Sequence, residues 1–342
     1  LLNTFGQEQD PKMIVEMAAF LNRLVSSLIG FVDYSPAARI ITRLQQHYEA
    51  LSGLDDPNSK RLRKSLSIRL NPATQKLLAA DLKSGEASRQ NNAVRLLESL
   101  GQTSLPLLIY IVKQEDDFRA RQSAATILAK QGSQATSRLK NLLVLEITPE
   151  ERVRVLDIID TVTSDLITEL LHALGDENRD VRLAAFRLSE RLKDHRVVGM
   201  LLENAKTAKS ELAVAAVNSL EKLKPPEAVE ALAEIMKSTK NEALRIACCR
   251  ALGQIAKPEC IDPLSIILNK KSVILRRYIY SDRMRATAAF ALGQIRQARA
   301  VKTLAAYVND PDQRIREVAR TVLRKVKKAT RRRKIAPAVA KS

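Results

Sequence analysis

Tryptophan is absent from this 342-residue chain, and aromatic residues make up only 4% of it. The hydrophobic content is nevertheless 45%, so aliphatic side chains and alanine must fill the core. A chain of this length can bury a large core. Because few aromatic rings accompany the basic residues, the chain offers few side chains on which nucleic-acid bases could stack.

Residues that carry out catalysis or bind metals are also scarce. The histidines, His47, His172 and His195, are far apart in the sequence, and no glycine-rich phosphate loop or nucleophile motif occurs. The cysteines have neither zinc-ligand spacing nor a disulfide framework, so we expect buried free thiols and a cytoplasmic protein; they are Cys248, Cys249 and Cys260. The sequence therefore predicts no enzymatic activity and no catalytic, cofactor-binding or metal-binding residues.

Long apolar runs are missing as well. The longest uninterrupted run, residues 105–112, has about eight residues including a proline, against the roughly twenty that a membrane-spanning helix needs. We therefore expect no transmembrane segment. Residue 1 is leucine, and no signal-peptide pattern follows it. We expect no signal peptide, and the sequence leaves open that the chain is a fragment of a longer protein.

What the sequence does contain is a repeat. Residues 244–255 and 284–295 share one apolar pattern, and six further segments align with them. The aligned position is occupied by Ala93, Arg121, Arg152, Arg182, Ala213, Arg245, Arg285 and Arg316. Successive positions are 28 to 32 residues apart, except for one interval of 40. A unit of about 31 residues holds two helices and two turns, which is typical of an α-solenoid.

Small residues within the units predict how the helices pack. Ala184, Ala247 and Ala288 occupy positions at which neighbouring helices must approach each other closely. Glycines fall just past or near the predicted helix ends, which agrees with this arrangement of helices and turns; they are Gly101, Gly132, Gly253 and Gly293. Stacking of successive helix pairs then builds one continuous core.

The repeat resembles the HEAT-repeat family, in particular its short, regular bacterial type. The residues that carry the resemblance are Asp180, Val181 and Arg182, and again Asp312, Arg316 and Ala319. The resemblance covers roughly residues 86–326, and it implies an all-α, right-handed α-solenoid of about eight helical hairpins. Deoxyhypusine hydroxylases resemble this fold too, but their paired His-Glu motifs do not occur in this sequence.

The first 85 residues are helical but do not follow the repeat. Apolar spacing predicts helices over residues 11–29, 35–51 and 73–82, with a basic stretch at residues 60–69. We interpret residues 1–85 as an N-terminal helical cap that shields the end of the solenoid at residues 86–326. Two diverged HEAT-like pairs, or a surface for dimerisation or docking, remain alternatives.

The 40-residue interval contains an insertion of about nine residues around residues 270–282, and insertions in repeat arrays map to loops on one edge. Its basic and aromatic side chains are candidate anchors for a protein partner; they are Arg276, Arg277, Tyr278 and Tyr280. The alternative is that Val273, Ile274, Leu275 and Ile279 extend a helix against the core. Further candidate contacts lie on the Arg-containing helices, at Arg187, Arg250 and Gln254, together with Glu190 and Asn218.

The recurring arginine has two interpretations. It could form a phosphate-binding stripe, but its fixed place beside the core favours a structural role. We expect these arginines to pair with carboxylates in adjacent turns, such as Asp176, Asp180, Asp310 or Asp312. In the HEAT family such an arginine ladder is usually structural.

Positive charge is concentrated at the C-terminal end. The chain carries 57 basic and 38 acidic residues, a formal charge of +19, and residues 314–334 contain eleven bases and one acid. We expect residues 327–342 to form a disordered basic tail. The candidate polyanion-binding residues are Arg316, Arg320, Arg324, Lys327, Lys328, Arg331, Arg332, Arg333 and Lys334. A solvated capping helix with a solubilising tail, a surface for an acidic protein or for phosphate, and specific nucleic-acid binding all remain open.

The sequence thus favours a non-enzymatic scaffold or adaptor that binds a protein on the concave surface, which we expect the Arg-containing helices to line. Nucleic-acid or polyanion binding through the basic end is the alternative. A lyase is a distant third interpretation, because phycobilin lyases have similar short repeats. The sequence does not determine the oligomeric state.

Overall fold

The computed structural model describes residues 2–51, 56–68, 70–144, 147–271 and 278–325. These residues are helical apart from turns and one isolated antiparallel bridge between Lys271 and Tyr278. The helices are α1 (Leu2–Gln7), α2 (Pro11–Gly30), α3 (Tyr34–Ala50), α4 (Pro57–Leu66), α5 (Pro72–Leu82), α6 (Ala87–Ser99), α7 (Leu105–Gln114), α8 (Phe118–Lys130), α9 (Ser133–Val144), α10 (Pro149–Leu156), α11 (Ile167–Leu174), α12 (Arg179–Leu192), α13 (Val198–Thr207), α14 (Ser210–Leu223), α15 (Val229–Ser238), α16 (Glu242–Ile255), α17 (Ile261–Asn269), α18 (Asp282–Gln294), α19 (Ala298–Ala305) and α20 (313–325). The predicted all-α solenoid fold is confirmed.

The chain divides into two compact units, Leu1–Leu166 and Ile167–Ser342. In the first unit the aligned repeat position lies in α6, α8 and α10, and in the second unit it lies in α12, α14, α16, α18 and α20. We call these eight the ladder helices, and the shorter helices between them the second helices. Every aligned position is therefore helical, as the repeat predicts. The domain boundaries at residues 85 and 326 stay predictions.

Polar residues begin most ladder helices. The side chains of Asp117, Asn178, Asn241 and Ser281 each accept a hydrogen bond from a main-chain N–H in the first turn of α8, α12, α16 and α18. At α10, Thr148 and Glu151 form a reciprocal capping box. These caps satisfy N–H groups that a helix start leaves without an internal partner. The start of these five ladder helices is thus encoded by the residue that precedes each of them.

Neighbouring ladder helices approach each other closely in the second unit. A Cβ atom added at Gly253 would lie 2.7 Å from both Cα and Cβ of Ala291, and one at Gly293 would lie 2.9 Å from a methyl group of Val322. Both glycines lie inside α16 and α18, within the last three residues of each helix, so the prediction that they fall near helix ends is confirmed. Gly101 and Gly132, in contrast, do adopt positive φ angles of 51° and 80° beyond helix ends. The absence of a Cβ at Gly253 and Gly293 lets the ladder helices pack.

Close packing of the ladder helices also orients the second unit. Consecutive ladder helices contact each other along much more of their length than consecutive second helices do. In a curved stack of helix pairs, the helices on the inner side are the closer ones. This packing favours the concave side for the ladder helices, and that placement stays a prediction.

The N-terminal helices pack on the first ladder helix. Both α3 and α5 contact α6, and Asp81 of α5 accepts a buried hydrogen bond from Tyr34 of α3 and faces Arg89 of α6 at 3.5 Å. The predicted helices are present, although α3 begins at Tyr34 after Asp33 rather than at residue 35. These contacts agree with a capping role for the region, which stays a prediction.

One helix, α2, is long and apolar enough to cross a membrane by length and composition alone. A core helix passes the same test, and α2 buries Ile14, Leu21 and Val25 within its own unit. One such helix is weak evidence for a membrane span. The expectation that the chain has no transmembrane segment stays a prediction.

We predict that Gly253→Ala lowers the free energy of unfolding by about 1–3 kcal/mol, because its Cβ would overlap Ala291. Gly199→Ala in α13 is the matched control: a Cβ there meets none of the described atoms within 4 Å, so alanine should leave stability unchanged or raise it. Denaturant unfolding of both variants provides the measurement. Equal stabilities for the two variants would contradict the close packing of α16 and α18.

A second prediction concerns three helix ends that adopt left-handed backbone without glycine. Lys193, Lys224 and Ala256 have φ angles of 53°, 53° and 55°, a conformation that costs non-glycine residues about 1–2 kcal/mol. Ala256→Gly should therefore raise the free energy of unfolding by about 1 kcal/mol. Ala286→Gly, inside α18, should lower it by a similar amount. Thermal unfolding that ranks the two variants in the reverse order would contradict this assignment.

Candidate protein-binding surface

The recurring arginines bind the end of the preceding second helix. Nη1 of Arg121 donates to the carbonyl oxygens of Glu115 and Asp116 at 2.8 Å each, just after α7 ends. Nη1 of Arg316 donates to the carbonyl oxygens of Asp310 and Pro311 at 2.6 and 2.7 Å. Carbonyl groups beyond a helix C-terminus have no internal donor and carry partial negative charge. A guanidinium group donates hydrogen bonds to these carbonyl oxygens, and its positive charge balances their partial negative charge.

Arg285 combines this contact with an ion pair. Its Nη2 lies 2.7 Å from Oδ2 of Asp310, and its Nε donates to the carbonyl oxygen of Leu268 in the last turn of α17 at 3.3 Å. The side chains of Arg285 and Asp310 are 1% and 2% exposed. The expected pairing with carboxylates is thus present at Arg285, whereas Arg121 and Arg316 bind main-chain carbonyl groups that the sequence did not suggest.

Asn204 of α13 connects Arg182 to the end of α11. Its Oδ1 accepts from Nη1 of Arg182 at 3.3 Å, and its Nδ2 donates to the carbonyl oxygen of Leu174, the last residue of α11, at 3.0 Å. A buried asparagine therefore links the ladder arginine to the helix end. The ladder guanidinium groups described so far face the junctions between helices, which supports the structural interpretation.

The insertion lies between α17 and α18, and its two tyrosines pack on ladder arginines. Cζ of Arg285 is 3.3 Å from the centroid of the Tyr278 ring, and Cζ of Arg245 is 5.7 Å from that of Tyr280. Nζ of Lys271 also lies over Tyr278, at 4.7 Å. Such cation–π contacts stabilise the base of the insertion. Use of either tyrosine by a partner stays a prediction.

The other residues of the insertion divide into two groups. Arg276 and Arg277 lie outside the described residues, as do Val273, Ile274 and Leu275. Ile279 is described: it is 51% exposed and lies beyond the end of α17, which stops at Asn269. The alternative in which Ile279 extends a helix against the core is therefore wrong, because the chain turns at Lys270 and exposes this side chain.

Polar side chains join consecutive ladder helices into one row, which we call the polar row. Glu190 of α12 accepts from Ser219 of α14 at 3.0 Å and pairs with Lys222. Arg250 of α16 reaches back to Asn218 at 2.6 Å and Glu221 at 3.1 Å. Gln254 donates to Gln294 of α18 at 2.8 Å. The candidates Arg250 and Gln254 thus belong to a single hydrogen-bonded surface on the ladder helices.

One column beside the polar row lies five residues after each aligned repeat position. In the second unit Arg187, Arg250, Phe290 and Thr321 of this column are exposed, and Asn218 is partly exposed. Phe290 is the apolar member of the column, and this residue is 55% exposed. Sequence reasoning did not select Phe290, although its alignment with Arg187 and Arg250 would have placed it on this surface.

Phe290 lines a groove at the C-terminal end of the second unit. The groove has a volume of about 1480 Å³ and is bordered by α16, α18, α19 and α20. Its apolar lining includes Phe290, Val318, Val322 and Leu323, and its exposed cations are Arg296, Lys302 and Lys325. Glu317 is the acidic residue among the lining side chains. This arrangement suits an apolar segment with acidic flanks.

The basic end is only partly described. Arg316 binds the main chain as above, and Nε of Arg320 donates to the carbonyl oxygen of Val308 at 3.0 Å, while Arg324 is exposed. The remaining candidates lie outside the described residues: Lys327, Lys328, Arg331, Arg332, Arg333 and Lys334. The predicted tail over residues 327–342 lies there too. Polyanion binding therefore stays a prediction.

The cysteines are buried free thiols, as expected. Burial raises the pKa of the Cys249 thiol to about 12 and raises the pKa of Cys248 and of Cys260. Such thiols are protonated at neutral pH and hence poor nucleophiles. Within the part of the chain that the structure describes, no group of three or more His, Cys, Asp or Glu residues could hold a metal ion.

Two protein families match the sequence. Residues 201–281 match the family of HEAT repeats, and residues 284–310 match the PBS lyase HEAT-like repeat. No curated protein matches the chain. Both matches fall on the ladder helices and second helices of the second unit.

Solved structures with similar folds share little sequence with this chain. An engineered protein is 16% identical over 95% of this chain and 98% of its own, with a TM-score of 0.42. Human deoxyhypusine hydroxylase in complex with glycerol is 18% identical over 73% of this chain and 95% of its own, with a TM-score of 0.33. Importin beta is 12% identical over 91% of this chain and 48% of its own, with a TM-score of 0.44.

We predict that Arg285→Met destabilises the protein by about 3–5 kcal/mol, because Asp310 would keep a buried charge without its partner. Arg283→Met, at an exposed position of the same helix, should change stability by less than about 0.5 kcal/mol. Adding Asp310→Asn to Arg285→Met should restore part of the loss. Urea unfolding that shows equal stabilities for Arg283→Met and Arg285→Met would contradict a structural role for the ladder.

Proposed function

We propose that this chain, whose residues 201–281 and 284–310 match HEAT-repeat models, is a non-enzymatic scaffold that binds a protein partner on the concave side of its second unit. The single observation that carries the proposal is the exposed ring of Phe290 in the groove beside the polar row. An apolar groove rimmed by polar residues marks an interaction site, and aromatic side chains are frequent anchors in such grooves.

The polar row supports a protein partner rather than a catalytic role. Its hydrogen bonds hold Arg250 and Gln254 in place before any partner arrives, so less side-chain entropy is lost on binding. The exposed Arg187 adds a positive charge at the other end of the row. An acidic surface on the partner would then be steered towards the groove.

The partner segment should combine apolar and acidic side chains. Phe290, Val318 and Val322 would contact its apolar residues, while Arg296, Lys302 and Lys325 would face its carboxylates. A short amphipathic helix meets these requirements, because apolar anchors three and four residues apart fit a groove of this kind. Tyr278 and Tyr280 would serve as contacts only if they left the ladder arginines.

We predict that Phe290→Ala reduces the capture of a protein partner from native lysate at least about tenfold, since an anchor in a groove is worth roughly 2 kcal/mol or more. Tyr110→Ala is the matched control, because Tyr110 is an exposed aromatic residue in α7 of the first unit. Capture should be measured by quantitative mass spectrometry on lysate with and without nuclease. Both variants should unfold at the temperature of the parent chain.

Two outcomes would contradict the proposal. If Phe290→Ala captures as much protein partner as the parent chain does, the groove is not the binding site. Captured material that consists of nucleic acid, disappears with nuclease and weakens steeply with salt would instead support polyanion binding through the basic end.

A further inference from the structure

Helix α2 carries a second apolar face that its own unit does not cover. The buried face consists of Ile14, Ala18, Leu21, Val25 and Ile29. The other face consists of Met13, Met17, Phe20, Leu24 and the polar Ser27, and Phe31 continues it just beyond the helix end; we call these residues the outer stripe. Its intervals alternate between four and three residues, which is the spacing of a helix–helix seam.

The outer stripe is open to solvent along its length. Met13, Phe20 and Phe31 are 43%, 47% and 83% exposed, and Met17 and Leu24 are partly exposed. Exposed large apolar side chains are unremarkable singly, but a continuous stripe of them indicates an interaction surface.

The rest of α2 is occupied by its own unit. The helix contacts α3, α4 and α5, and Nδ2 of Asn22 donates to the carbonyl oxygen of Ser65 on α4 at 3.2 Å. Because 100° separates successive residues of a helix, Asn22 lies on the opposite side from the outer stripe. A new helix can therefore approach the stripe without displacing α3, α4 or α5.

Two charges beside the stripe make it complementary to itself. Glu16 and Arg23 are exposed and lie seven residues apart on the same flank of the stripe. An antiparallel pairing about a two-fold axis beside Ala19 and Phe20 places Glu16 of each copy next to Arg23 of the other. A parallel pairing forms neither contact. A two-fold interface requires self-complementarity of this kind.

We propose that the chain forms an antiparallel homodimer through the outer stripe of α2. Phe20 lies at the centre of this interface, and the two Glu16–Arg23 pairs fix its register. The twenty-residue length of α2 corresponds to a seam of roughly 30 Å. The proposal does not depend on the groove at Phe290, which belongs to the other unit.

The experiment is sedimentation velocity of the full chain over a range of micromolar concentrations. The parent chain should form a dimer, and Phe20→Glu should make it a monomer. Tyr110→Glu is the matched control, because it adds the same charge at an exposed aromatic position outside α2, and it should leave the dimer intact. Circular dichroism should show unchanged helicity for both variants.

A charge exchange tests the register. Glu16→Arg and Arg23→Glu should each raise the dimer dissociation constant at least about tenfold, because each places like charges together. The double variant Glu16→Arg/Arg23→Glu should recover the parent value, since the pairs form again with reversed sign. A double variant as weak as the single variants would overturn the antiparallel arrangement.

Two further results would overturn the dimer itself. The first is a monomeric parent chain at every concentration. The second is a chain that stays monomeric in solution but sediments with phosphatidylserine-containing vesicles in a way that Phe20→Glu abolishes, which would assign the outer stripe to a lipid surface.

Discussion

The contact between a ladder arginine and the end of the preceding helix, or the turn that follows that helix, is the interaction on which the repeat depends. A pair of helices cannot bury its apolar stripe alone, and the carbonyl groups at its C-terminal end need donors. Arg121 and Arg316 donate to main-chain carbonyl groups, and Arg285 adds a buried ion pair to Asp310. In the units that carry an arginine at this position, one side chain therefore couples hydrogen bonding within a repeat to stacking between repeats.

The same attachment decides which residues are left for binding. Since the ladder guanidinium groups face helix junctions, the surface that we propose for a partner consists of the residues beyond them, namely the polar row and the groove. Gly253 and Gly293 bring the ladder helices close together, so these residues form a continuous surface. The close approach of the ladder helices thus accounts for the core packing and also for the surface that the proposed scaffold function uses.

Periodicity predicted the helices well because the spacing of apolar residues reports burial directly. Periodicity does not reveal that Gly253 contacts Ala291, because these residues are far apart in sequence. It also does not distinguish Phe290 from core residues, because apolar residues in such a helix usually belong to the core, and only the alignment with Arg250 identifies the exposed column. The sequence predicts that Tyr278 is an anchor for a protein partner, whereas in the structure its ring packs on the guanidinium group of Arg285. Contacts between distant residues, rather than local pattern, account for these differences.

The most direct test of the ladder's structural role is the unfolding free energy of Arg121→Met beside Arg119→Met. Arg121 holds two main-chain carbonyl groups, and hydrogen bonds from a charged donor contribute about 1.5–3 kcal/mol each. Arg119 is an exposed residue of the same helix. The structure predicts a loss of about 2 kcal/mol or more for Arg121→Met and almost none for Arg119→Met. The contrary result is that the two variants are equally stable and that Arg121→Met alone loses binding of a partner or of phosphate. That result would show that the ladder arginines bind a ligand.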